Sequence, residues 1–446
     1  MQIMYLHGTS KINAQGHLEI GGVDATDLKE QFGTPLYVVD EQLVRERCRE
    51  YMEAFRASGL GFQVAYASKA FCVMAMCALA AEEGLSLDVV SDGELFTALQ
   101  AGFPAERIHF HGNNKTLEEI EMALDAEIGC FVVDNFNELH LLQAVAADKN
   151  RKVNILLRVT PGVEAHTHEY ISTGQTDSKF GFDIGNGTAF EAIDLASKQS
   201  NLVLLGVHSH IGSQIFEVEG FQMAVQRVAE FAASVYERLN VAFKVVNLGG
   251  GFGIRYIDGD TPLEVAQYVK AITDAVKNHF AQIGYAVPEI WVEPGRSIVG
   301  EAGTTLYTVG TSKDIPGVRK YVAVDGGMTD NPRPALYESK YEAVLANRAN
   351  EAAQETVSVA GKCCESGDML IWDLDLPKVE SGDLLAVACT GAYNYSMASN
   401  YNRIRRPAVV FVKDGQGDVV VRRETYQDII QNDLVPARIG KQPVTR

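Results

Sequence analysis

Short apolar runs recur along the middle of the chain and alternate with longer stretches whose apolar residues fall at helical spacing. The runs Phe62–Ala67, Leu85–Val90, Ile108–Phe110, Cys130–Val133, Asn154–Val159, Leu204–Val207, Lys244–Leu248 and Ile290–Val292 read as buried strands. Helical patterns lie between them at Phe71–Glu83, Gly93–Ala101, Leu117–Ala126, Glu138–Ala147, Thr188–Lys198, Phe221–Leu239 and Pro262–Ile283. Another precedes them over Asp40–Ser58, with Asp40 placed as its N-cap. Apolar strands alternating with helices predict a parallel sheet with right-handed crossovers. Eight such units predict a closed (β/α)8 barrel over residues 36–302. Beyond it helices become rare, and Thr305–Val309, Tyr321–Val324, Leu384–Ala388 and Val409–Val412 read as strands. Residues 303–446 therefore predict a β-sandwich or barrel-like domain. The turn-rich segment 1–35, with Gly21-Gly22 and Gly33-Thr34-Pro35, is expected to join it.

Composition narrows the function. A net charge of −19 and a pI near 5.0 argue against nucleic acid and anionic membranes as partners. No apolar run approaches the ~18 residues that span a bilayer, and the N-terminal residues do not form a signal peptide. Seven scattered cysteines without a CxxC pair fit a reduced, cytoplasmic protein. A cytoplasmic enzyme with a small-molecule substrate is the expectation.

Barrel enzymes gather their chemistry at the C-terminal ends of their strands. Here those ends carry Lys69, Asp88, Arg158, His210, the glycines 249–251, and Glu293 with Arg296. Lys69 has the small neighbours Ala65, Ala67, Ser68 and Ala70, which leave room for a ring, and its amine suits the aldehyde of pyridoxal phosphate (PLP). Gly249-Gly250-Gly251 follows strand seven, where barrels often bind phosphate through bare backbone amides. A tight turn is the competing explanation. A dinucleotide site fits less well, because the glycines arrive outside a first βαβ unit. Glu293 could keep a pyridine nitrogen protonated, or could merely pair with Arg296. The histidine pairs 109/111, 166/168 and 208/210 share strand faces and make a metal conceivable. Strand one offers a lysine instead of the histidine pair of metal hydrolases, so no metal is expected.

Taken together, AYASKA at Lys69, LDVVSDGE, HTHEYISTGQTDSKFGF from His166, HSHIGSQ, NLGGGFGI and EPGRSIV form one specific set. DGGMTDNPRPALY ending at Tyr337, CESGD at Cys364 and GAYNYSMASNYN extend it. Over nearly the whole chain the sequence resembles the fold type III PLP-dependent decarboxylases, most closely the diaminopimelate decarboxylase family. The resemblance implies decarboxylation of meso-2,6-diaminopimelate to L-lysine, the last step of lysine biosynthesis, by a homodimer with shared active sites. It implies that Lys69 bonds the cofactor aldehyde, that His210 stacks on the ring, and that Glu293 faces its nitrogen. Ser213, Gly249, Gly250, Gly251 and the segment Glu293-Pro294-Gly295-Arg296 would hold the phosphate, with Asp88 and Arg158 in support. Arg296, Arg333 and Tyr337 would bind substrate carboxylate, and Tyr393 would touch cofactor and substrate. Cys364, next to Cys363, would be the proton donor and Glu365 would take the distal ammonium, both reaching into the partner's site. Lys179 and Asp368 would pair across the interface. Relatives acting on ornithine, arginine or carboxynorspermidine share much of this set, but the stretch from Asn331 to Tyr337 and the Cys364-Glu365 pair favour diaminopimelate. A non-catalytic homologue would lack Lys69 or Cys364, and both are present.

Overall fold

The structure, a computed structural model, describes residues 4–163 and 178–439. Most of the motif that starts at His166, including the 166/168 histidine pair, lies outside the described residues.

All eight expected barrel strands form: β1 (Phe62–Ala67), β2 (Ser86–Val89), β3 (Ile108–Phe110), β4 (Cys130–Val133), β5 (Val153–Thr160), β6 (Leu202–His208), β7 (Val245–Asn247) and β8 (Glu289–Val292). Each pairs in parallel with the next, and β8 returns to β1 through Ile290 opposite Phe62 and Val292 opposite Val64. The ring is closed. Alternation along the strands sorts their residues into two cores. Phe131, Val133, Ile155, Leu157, Val246, Ile290 and Val292 pack outward with the surrounding helices. Cys130, Val132, Leu156, Val245 and Trp291 form a separate small cluster in the barrel interior.

Before the barrel, the helix Glu41–Ser58 begins where the Asp40 carboxylate accepts the Leu43 N–H at 3.1 Å. Asp40 also receives the Thr9 hydroxyl at 2.7 Å, and its own N–H donates to Ala302 O at 2.9 Å. The chain thus enters and leaves the barrel at one place. That junction shifts a predicted boundary. Leu36–Asp40 is a fully buried strand, antiparallel to Gly303–Ile315 and parallel to Ala408–Lys413, so it belongs to the β domain and the barrel unit starts after it. Entry beside the exit strand gives these five residues a sheet partner that the barrel does not offer.

Around this strand the β domain builds a sheet in the order Met369–Leu376, Glu355–Ala360, Arg319–Val324, Gly303–Ile315, Leu36–Asp40, Ala408–Lys413, Gln416–Val421. Leu384–Ala388 also pairs with Gly303–Ile315. The N-terminal segment joins this domain as expected. Leu18, Ile20, Ala25 and Leu28 are buried in the same core as Leu306, Leu385 and Val410. No described helix is long and apolar enough to cross a membrane.

Candidate active site

The C-terminal mouth of the barrel collects residues that would repel or starve one another without careful pairing. Lys69 sits in the short turn Ser68–Ala70 directly after β1 and is exposed, while both its neighbours are buried. The Ser68 hydroxyl donates to Asp88 O at 2.7 Å and ties this turn to β2. Asp88 and Glu293 are both buried, at 4% and 7% exposure. Two carboxylates in one dry space must differ in proton affinity. Burial, and then the charge of Glu293, pushes Asp88 well above the usual carboxylate range, although Lys69 and Arg158 pull it down.

Glu293 takes the opposite direction. Burial alone would raise it, but His111 and His208 hold it well below the ordinary range. His111 Nε2 lies 3.0 Å from Oε1, His208 Nε2 lies 3.0 Å from Oε2, and Asn247 Nδ2 donates to Oε1 at 2.6 Å. Burial pushes His111 down to about 3, so near neutral pH a neutral ring braces an ionised carboxylate. Asn247 Oδ1 also accepts the Gly249 N–H at 2.9 Å, which links Glu293 to the glycine loop.

That loop is bare by necessity. Gly249 and Gly251 have φ of +69° and +103°, where L side chains are strained. A Cβ on Gly250 would stand 2.2 Å from Glu293 O. His210 Nδ1 accepts the Gly250 N–H at 3.3 Å, and burial, then Lys69 and Arg158, lower its proton affinity well below that of a free histidine. The Arg158 guanidinium lies 4.3 Å from the Phe180 ring. Gly295 packs tightly on β1, since a Cβ there would approach Ala67 to 3.0 Å.

A second group flanks this one. Arg296 donates to Tyr256 Oη at 2.6 Å and to Ser213 Oγ at 3.0 Å, and its guanidinium lies 4.9 Å from the Tyr393 ring. Buried Arg333 donates to Tyr341 Oη at 2.7 Å and lies 5.0 Å from the Tyr256 ring. Tyr393 is held with φ of +63°, and its N–H donates to Ala70 O at 2.8 Å, so its loop rests on the Lys69 turn. Two guanidiniums bound by neutral hydroxyls and rings retain their charge for an anion.

Other expected residues stand apart. Tyr337 is 38% exposed at the end of the short helix Arg333–Tyr337. Cys364 and Glu365 lie exposed on the loop between Glu355–Ala360 and Met369–Leu376. The Cys364 N–H donates to Asn402 Oδ1 at 3.0 Å, and the Glu365 carboxylate accepts the Gly367 N–H at 3.2 Å, so both are anchored in the β domain. Burial, then Asp368, pushes the neighbouring Cys363 thiol up to about 12. Asp368 is 3% exposed and accepts the N–H groups of Met328 at 2.6 Å and Cys363 at 2.8 Å. Its carboxylate is therefore engaged inside its own chain, while Lys179 is exposed. This geometry does not favour the expected pairing of Asp368 across an interface.

Sequence reasoning does not reach Asn247, Tyr256 and Tyr341, and it reaches His111 and His208 only as halves of conceivable metal pairs. A parity signal existed for three of them. His111 follows His109 by two, and His208 and Asn247 end β6 and β7 on the inward face that Glu293 extends from β8. The ligating atoms of His111, His208 and Glu293 lie within 4.8 Å of one another. In the structure both atoms face Glu293, His208 Nε2 in a hydrogen bond and His111 Nε2 at 3.0 Å without hydrogen-bond geometry.

The residues present fit PLP. The mouth offers an exposed amine, a glycine loop with no room for side chains, a braced buried carboxylate, and a buried Asp88 Oδ1 without a hydrogen-bond partner.

Comparison with known proteins agrees. The family described as "Pyridoxal-dependent decarboxylase, pyridoxal binding domain" matches residues 41–300. The chain is 62% identical over 437 residues to the diaminopimelate decarboxylase of Bacillus subtilis (strain 168), covering 98% of this chain and 99% of that relative. The crystal structure of diaminopimelate decarboxylase from M. jannaschii with L-lysine superposes with a TM-score of 0.91 at 38% identity, over 97% of this chain and 100% of that one. The Helicobacter pylori structure, also with L-lysine, gives a TM-score of 0.83 at 33% identity, over 92% of this chain and 98% of that one.

Proposed function

The chain belongs to the pyridoxal-dependent decarboxylases, in the diaminopimelate decarboxylase family, and from that premise we propose which residues carry its reaction. It is a PLP-dependent carboxy-lyase that converts meso-2,6-diaminopimelate to L-lysine and CO2. The observation that carries the residue assignment is the ionised Glu293, braced by His111, His208 and Asn247 at the end of β8, the strand paired with the one that leads to Lys69.

When bound, PLP supplies an electron sink for the carbanion left by CO2. Lys69 would hold the cofactor through its amine, at the position where the substrate amine is to be presented. Glu293 holds a proton on the ring nitrogen, where an ionised carboxylate favours the cation. The turns Gly249-Gly250-Gly251 and Glu293-Pro294-Gly295-Arg296 would hold the phosphate together with Ser213, through the amides of Gly251, Gly295 and Arg296, because the N–H groups of Gly249, Gly250 and Glu293 already donate to Asn247, His210 and Gly249 O. His210 covers the ring, and Asp88 and Arg158 set the charge around it. Arg296, Arg333 and Tyr337 take the substrate carboxylates, and Tyr393 closes the site above Lys69. Cys364 returns a proton from Sγ to the carbon, and Glu365 binds the distal ammonium.

Those last two residues are exposed on the β domain, which supports a homodimer in which each chain completes its partner's site. The acidic composition and the free cysteines support a cytoplasmic location. The substrate carries a second α-amino acid head, so its pocket must satisfy one more carboxylate than the pocket of an ornithine enzyme. Leaving a buried guanidinium unpaired costs several kcal/mol. Comparing CO2 release from meso-diaminopimelate, ornithine, arginine and lysine tests the specificity. Diaminopimelate is expected to have the highest kcat/KM, and preference for ornithine or arginine would overturn the assignment.

A further inference from the structure

The motif GAYNYSMASNYN runs on past Tyr393, and its last residue, Asn402, has no place in the chemistry described so far. It stands on an unusual piece of backbone. Asn402 and Arg403 have φ of +51° and +57°, two successive left-handed residues without a glycine. Asparagine tolerates this region better than most L residues, but arginine gains nothing from it. Such a conformation is costly and persists only where the surrounding contacts hold it.

Those contacts come from three directions. The Ser399 N–H donates to Thr329 O at 2.9 Å, which ties the turn to the loop that leads into Arg333. Asn400 Nδ2 donates to Glu424 Oε2 at 2.6 Å and to Ile404 O at 3.0 Å. The Arg403 guanidinium donates to Ile429 O at 2.8 Å, in the C-terminal helix Tyr426–Ile430, and to Asp433 Oδ2 at 2.6 Å just beyond it. Between these anchors Asn402 offers one acceptor. Its Oδ1 takes the Cys364 N–H at 3.0 Å, across 38 residues of sequence.

The base of the Cys364 loop is held by other groups. The Lys362 N–H donates to Gly326 O at 3.0 Å, the Cys363 N–H to Asp368 Oδ2 at 2.8 Å, and the Asp368 N–H to Glu365 O at 3.1 Å. Among the described residues, the hydrogen bond that reaches the Cys364 backbone itself comes from Asn402 alone. We infer that Asn402 is a positioning residue for the proton donor. It fixes the Cys364 peptide plane, and through it the direction in which Sγ approaches the reacting carbon, while leaving the thiol untouched. The inference rests on the donor role proposed above for Cys364. A donor has to meet one face of one carbon, and a misplacement of about 1 Å can cost about 10²-fold. The left-handed pair is what turns the Asn402 amide toward the loop, and the anchors on either side keep it there.

Asn402→Gly tests this in the holoenzyme, since glycine accepts a φ of +51° and the substitution removes the acceptor. The Cys364 amide is expected to lose protection against hydrogen exchange, and kcat to fall by roughly 10–10²-fold. In D2O the wild type should place deuterium at the reacting carbon in one configuration, and the variant in both, because water then competes with a misaimed thiol. In a Cys364→Ala background the same substitution should cost less than about twofold, since the group it positions is already gone. Equal losses in the two backgrounds would overturn the proposal, because a residue that only stabilises the fold acts additively. Unchanged exchange of the Cys364 amide, wild-type kcat, or a single product configuration in Asn402→Gly would overturn it as well. Wild-type turnover in Cys364→Ala would instead remove the donor role itself, a result that no behaviour of Asn402→Gly can imitate.

Discussion

The barrel mouth and the Cys364 loop, to which we assign one reaction, stand in opposite conditions. Within the mouth, Asp88, His111, His208, Asn247 and Glu293 are buried and hold one another through short contacts in a single chain. On the loop, Cys364 and Glu365 are exposed, the Cys364 N–H donating to Asn402 Oδ1 and the Glu365 carboxylate accepting from the Gly367 N–H and the Ser366 hydroxyl. Groups meant to act in a dry environment are preorganised by the first arrangement. The second leaves them waiting for a surface to cover them. Under the roles proposed here, one chain carries a finished cofactor cradle and an unfinished proton donor.

The sharpest way to break this contrast is to remove its centre. Lys69→Ala is expected to abolish the visible absorbance of bound cofactor and to cost more than ~10⁴-fold in turnover, the upper end for a single acid–base group. Retained absorbance would place the cofactor elsewhere. Cys364→Ala should leave that absorbance intact and lower turnover by roughly 10²–10⁴-fold. Mixing it with Lys69→Ala subunits tests the sharing directly. Random dimers should recover about a quarter of wild-type activity, through the one intact site of each heterodimer. No recovery despite demonstrated subunit exchange would mean that each chain is complete alone.

Smaller effects separate bracing from charge. Glu293→Gln should retain cofactor and lose roughly 10²–10³-fold in kcat, because an amide cannot hold the ring proton. Equal loss in Asn247→Ala would show that position matters as much as charge. The last prediction concerns stability in the β domain. Asp330 is buried, and burial pushes its carboxyl up to about 7 despite hydrogen bonds from Tyr307 and the Gly327 N–H. Its folded pKa lies above the unfolded value of 3.8. Between these values the native state binds the extra proton, so its stabilising contribution is present at low pH and is lost as pH rises. Stability should fall by up to about 1.4 kcal/mol per pH unit across that window, and Asp330→Asn should flatten the slope in urea titrations.

Much of the barrel was legible because its strands are buried on both faces and read as uninterrupted apolar runs. Ile108–Phe110 and Cys130–Val133 have the bounds the sequence suggested. The β domain was harder to read. Met369–Leu376 mixes Trp372 and two aspartates with its apolar residues, and Leu36–Asp40 finds its neighbours only in the second half of the chain. In the site, strand ends and glycines picked out Lys69, Asp88, His210, Glu293 and the loop 249–251, which the structure gathers at the barrel mouth. The partners of Glu293 were less visible, since a histidine or asparagine inside a strand gains meaning only when closure sets it opposite a carboxylate. Tyr256 and Tyr341 come from loops whose approach to Arg296 and Arg333 no local pattern encodes.

The meeting of Asp40 with Ala302 has a consequence in time. Leu36–Asp40 leaves the ribosome early, yet one of its sheet neighbours begins at Gly303 and the other at Ala408. At about 5–20 residues per second, synthesis from Asp40 to Ala408 takes roughly 20–70 s. Until Gly303 this buried strand has neither sheet neighbour and until Ala408 it still lacks one, whereas the barrel has every strand it needs once Val292 is made. The nascent chain must therefore pass through a stage with a closed barrel and an open hydrophobic edge beside it, the stage at which a chaperone would have something to hold.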